Sequence, residues 1–135
     1  MKRFIIAILG GLIIFSGLIV WHSPDYQARH ILRIYDFHPV GMPKHTSIVL
    51  DEITFDSFNE ASKELGYNLQ PYKGKKVEVL QYRLLERHVH ENGNGESVVY
   101  AEFLLNDKRQ LIGALLEVKG MMTGVISFSE NKPNY

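Results

Sequence analysis

The sequence predicts an α+β protein: an N-terminal transmembrane helix followed by a small domain of two helices packed on an antiparallel sheet of about four strands. Three observations predict it. Residues 4–21 form an apolar run without a charge. Two later stretches, 24–36 and 57–65, place apolar side chains at helical spacing, with capping residues in front of them. Residues 76–118 then carry strand-like apolar runs separated by tight-turn sequences.

The anchor comes first. Phe4 to Trp21 reads FIIAILGGLIIFSGLIVW, eighteen residues, and as a helix it would cover about 27 Å, close to the hydrocarbon thickness of a bilayer. A helix satisfies its own backbone hydrogen bonds, so such a run can sit in lipid, with Trp21 placed at the interface. Lys2 and Arg3 flank one side, and the other has no Lys or Arg until Arg29. Residues 1–3 are therefore expected in the cytoplasm and residues 22–135 outside it. A cleaved secretory signal is the alternative, giving a secreted domain. The exit through Ile19, Val20, Trp21, His22 and Ser23 lacks the pair of small residues that cleavage needs, and the absence of cysteine excludes a lipoprotein signal.

What remains is enough for one modest domain. Without Lys2 and Arg3 it carries 13 basic and 15 acidic side chains, a formal charge of −2. This balance, with no basic stripe, argues against a nucleic-acid partner. Without cysteine there are neither disulfides nor thiolate metal sites.

Ser23-Pro24-Asp25 is a helix start: a hydroxyl cap, proline at the first position, an acid in the first turn. Tyr26, Ile31, Ile34, Tyr35 and Phe37 extend the helix over about 24–36, before two prolines hold residues 38–43 extended. Residues 46–53, TSIVLDEI, read as a strand. Ser57 and Glu60 have capping-box spacing, with Thr54 an alternative cap, and Phe58, Ala61 and Leu65 line the second helix up to Gly66. A loop spans 67–74. Residues 76–88 put Val77 and Val79 on one phase and Leu80, Tyr82 and Leu84 on the other, which suggests a bulge or a strand covered on both faces. Asn92-Gly93-Asn94-Gly95 marks a hairpin turn, VVYAEFLL (98–105) a central strand, and Asn106 to Arg109 another turn. Ile112, Ala114, Leu116 and Val118 share one face of the next strand. Residues 125–128 add a short last one, and the tail from Ser129 is expected to fray.

This order of elements, with the strings Phe55-Asp56, Asn59, Gly66-Tyr67-Asn68-Leu69, Tyr72-Lys73-Gly74-Lys75, Leu111-Ile112-Gly113-Ala114 and Gly120-Met121-Met122, resembles the domain of unknown function 4830 family of small exported or membrane-anchored Firmicutes proteins. The likeness covers about residues 27–128. It implies fold and location but no mechanism. Family members often carry a cysteine after the Ile-Gly-Gly strand; this chain has none, so a role tied to that thiol does not apply here.

No catalytic or cofactor-binding residue stands out. His88 and His90 share a strand face near Glu86 and Glu91, the pattern of a partial metal site, though zinc needs three or four ligands. Two exposed histidines at a hairpin end are the plainer reading. His22, His30, His38 and His45 read as interfacial or solvated. Lys73, Lys75 and Lys76 surround a glycine turn without the context of a phosphate loop, leaving a solvated turn or a weak contact with anionic headgroups or wall polymers. Asp51 and Glu52, adjacent on a strand, would point to opposite faces. Met121 and Met122 read as a buried turn cap or an exposed contact patch. The expectation is a non-enzymatic binding module at the cell envelope. It would hold the bilayer through residues 4–21 and meet an envelope protein or cell-wall partner. A metal-dependent enzyme or accessory factor using His88 and His90 is the alternative.

Overall fold

Ser23 caps the first helix as its sequence predicts: the hydroxyl accepts the backbone N–H of Tyr26 and Pro24 opens helix α1, Pro24–Ile34. A computed structural model describes residues 23–89, 95–120 and 124–129. The expected anchor (4–21), His90, Asn92 to Asn94, Met121, Met122 and residues 130–135 lie outside the described residues. Among the described residues no helix is long and apolar enough to cross a membrane.

α1 is followed by β1 (Lys44–Val49), α2 (Glu52–Lys63), β2 (Lys76–Val89), β3 (Glu96–Leu105), β4 (Leu111–Lys119) and β5 (Gly124–Ile126). All pairs are antiparallel and the strands lie side by side in chain order. Among the described residues the sheet thus has five strands rather than about four, because the short segment Gly124–Ile126 completes an edge.

Side-chain alternation divides the core between the two faces of this sheet. On one, Ala28 and Leu32 of α1 pack on Leu80, Tyr82, Leu84, Phe103 and Leu116. On the other, Leu50, Phe55 and Ala61 pack on Val77, Val79, Leu104 and Leu115. One helix therefore covers each face. This explains the phase change in β2 and the nearly unbroken apolar run of β3, buried on both sides. No bulge accompanies the phase change at Val79 and Leu80, where the pairing with β3 is continuous; the register shifts further on, between Arg83 and Arg87.

Three element boundaries differ from expectation. α1 buries Ala28 and Leu32 instead of Tyr26 and Ile34, which are 38% and 64% exposed. It ends at Ile34 because Asp36 turns left-handed (φ 60°), letting the Phe37 N–H reach the Leu32 carbonyl. β1 stops at Val49, and α2 begins at Glu52 rather than near Ser57. The Asp51 carboxylate accepts from the N–H groups of Ile53 and Thr54 and so caps the helix. Asp51 and Glu52 are therefore cap and first turn, not neighbours on a strand. The Ser57 hydroxyl instead donates to the Thr54 carbonyl within the helix. Ser129, expected to fray, donates to Glu64.

Candidate functional site

α1 carries Arg29 and Arg33 one turn apart. After the turn at Asp36, residues 38–40 run extended beside β2: the Val40 N–H donates to Arg83, the Leu85 N–H donates to His38, and Pro39 bridges to Leu84. This reversal closes a cleft of about 370 Å³ lined by Arg29, Arg33, Asp36, Phe37, His38 and Pro39. Arg29 donates through Nε to both Asp25 oxygens, at 3.1 and 3.3 Å, and its guanidinium lies 5.5 Å from the centre of the Tyr82 ring. The buried Tyr82 hydroxyl also donates to Asp25. Burial and that carboxylate together push the phenol up, keeping it protonated. The shared Asp25 joins α1 to the sheet and holds Arg29 in a fixed direction, while Arg33 is exposed and makes no ion pair among the described residues.

His38 lines the cleft from the other side. Its backbone N–H donates to both Glu86 oxygens at 3.0 and 3.1 Å, and Nδ1 lies 2.6 Å from Oε1. That hydrogen bond, assisted by the charges of Glu86 and Asp36, raises the imidazole pKa above its ordinary 6.5. Asp36 sits 3.9 Å from His38 Nε2 and supplies the opposing charge. The cleft therefore presents two guanidinium groups and a charge-stabilised imidazole, an arrangement suited to an anion.

A second polar cluster interrupts the α2 face of the sheet. Gln81 on β2 donates to Glu102 on β3 at 2.7 Å and to Glu117 on β4 at 3.5 Å, and Lys119 lies 3.2 Å from Glu117. Glu102 is only 7% exposed. Burial, then its hydrogen bond and charge interaction with Glu117, pushes its carboxyl up to about 7. Three strands are thereby cross-linked by one proton-sharing group.

The residues that drew attention in the sequence are scattered. His88 stands half-buried near the end of β2, with its strand neighbour Ser97 on β3. Among the described residues no three His, Asp or Glu side chains are placed to hold a metal. Lys73, Lys75 and Lys76 are exposed, Lys73 lying 5.0 Å from the centre of the Phe55 ring. His45 is 3.3 Å from Glu78 on the far edge of the sheet. Sequence reasoning missed both clusters described above. The spacing of Arg29 and Arg33 was a visible signal, whereas the place of His38 depends on a non-local strand pairing. Glu102 announced itself only as the lone acid in VVYAEFLL.

No curated protein and no solved structure matches the chain. One family model does, domain of unknown function (DUF4830), over residues 34–116, from the end of α1 to within β4. The matched stretch is narrower than the likeness of residues 27–128 noted above, but it spans more than half of the 135 residues. The chain belongs to the DUF4830 family.

Proposed function

We propose that this protein is a single-pass membrane-anchored, extracytoplasmic domain that acts without catalysis, presenting a binding surface to a protein or wall component of the cell envelope. The observation that carries this reading is the junction between anchor and domain. The charge-free run from Phe4 ends at Trp21, and Ser23 already caps α1. A helix in the bilayer would thus pass into the domain with no stalk between them, holding α1 and its arginines near the membrane surface. Lys2 and Arg3 before the run favour a cytoplasmic N-terminus.

Protease treatment of intact cells carrying a C-terminal epitope tests the topology. The epitope is expected to be lost while the protein stays in the membrane fraction. A protected epitope, or a mature chain beginning beyond Trp21, would overturn the anchored arrangement.

A further inference from the structure

We propose that the cleft between α1 and residues 36–39 is a binding site for a phosphate ester, whose oxyanion is held by Arg29, Arg33 and His38. This inference rests on the reading of the domain as a binding module and gives that module a ligand class.

Arg29 spends only its Nε on Asp25, so its terminal nitrogens have no hydrogen-bond partner among the described residues. Arg33, four residues on, has no ion-pair partner for its fork among the described residues. His38 approaches from a different segment, its ring fixed at Nδ1 by Glu86. Donors arriving from three positions suit a tetrahedral oxyanion with three accessible oxygens better than a planar carboxylate, which one arginine fork already saturates. At about 370 Å³ the cleft also has room for more than the phosphate itself, and Phe37 and Pro39 offer apolar wall to the esterified group.

Asp36 faces the same cleft and opposes an anion. Its charge provides a second handle on binding, because its left-handed backbone (φ 60°) is one that asparagine adopts equally well. Asp36→Asn therefore removes the charge without disturbing the turn.

The site is tested with the full-length chain in phosphate-free maltoside micelles. Calorimetry would follow titration with glycerol 1-phosphate, or with phosphatidic acid, whose headgroup is the same phosphate monoester, added to the micelles. Saturable binding is expected, weakened roughly tenfold in Arg33→Ala and tightened several-fold in Asp36→Asn. Arg33 is exposed and makes no ion pair among the described residues, so its variant should keep the parent's unfolding midpoint. Saturation by glycerol phosphate means that a soluble ester suffices. Saturation by the lipid alone, with the same sensitivity to Arg33, assigns the headgroup as the source. No saturation with either ligand, or equal affinity in Arg33→Ala, overturns the proposal. Neither result depends on protease accessibility, so this site and the topology stand or fall separately.

Discussion

One carboxylate decides where α2 begins. Asp51 accepts two backbone N–H groups and the Thr54 hydroxyl, and these bonds hold its pKa below the ordinary value. Asp51→Ala should lower the denaturant midpoint, as the loss of a helix cap does, whereas Ser57→Ala should leave it nearly unchanged. The reverse ranking would restore Ser57 as the start of the helix. Gly113 is a second position where a single atom matters. A Cβ there would lie 2.9 Å from the Ser62 hydroxyl oxygen and 3.0 Å from Leu69 Cδ2. The Ser62 hydroxyl is engaged with both the N–H and the carbonyl of Ala114, so it cannot yield without losing a buried bond. Gly113→Ala should therefore destabilise the domain by about 1–3 kcal/mol, measured by urea unfolding.

Among elements, the middle strands are tied together by a group that titrates near neutrality. Glu102 is pushed up to about 7 from the ordinary 4.5, so the folded state holds its proton more tightly than the unfolded chain does. The resulting stabilisation is complete below the unfolded value and is lost as pH rises through about 7. His38, also raised, acts in the same direction above its ordinary 6.5, while Asp51 and Glu64, both lowered, lose their contribution only in acid. The urea midpoint is expected to be higher at pH 5.5 than at pH 8.5, and Glu102→Gln should flatten most of that fall. A slope unchanged by the substitution would mean that Glu102 keeps an ordinary pKa. Little of this cluster was legible in the sequence. Glu102 lies opposite Leu115, and Glu117 opposite Tyr100, so their meeting depends on the register of β3 and β4. The strands themselves were readable because alternation survives even where both faces are covered, as Val77, Val79 and Leu80, Tyr82 show. The start of α2 was not. Ile53 looked like part of an apolar strand, yet it is 88% exposed, and the helix there is set by a cap that a strand-like composition concealed.

At the scale of the molecule, the family match and the folding unit do not coincide. Residues 34–116 exclude Ala28 and Leu32, which cover one face of the sheet, and Val118 and Phe128, which close the same cluster. Phe128 is 1% exposed, with ring centres at 5.4 Å from Tyr35, 5.7 Å from Phe37 and 5.9 Å from Phe103. It joins the end of α1 to the central strand. Removing that ring alone, in Phe128→Ala, should cost about 3–5 kcal/mol. A fragment limited to 34–116 also loses Leu32 and Val118, each worth about 1.5–3 kcal/mol when buried, against a total stability of about 5–15 kcal/mol for a domain. It would also leave Tyr82, Leu84 and Phe103 without their covering helix. Such a fragment is expected to show no cooperative unfolding transition, whereas residues 23–129 should melt in a single step. A sharp transition in the shorter piece would mean that α1 and the C-terminal phenylalanine are additions to a core complete without them.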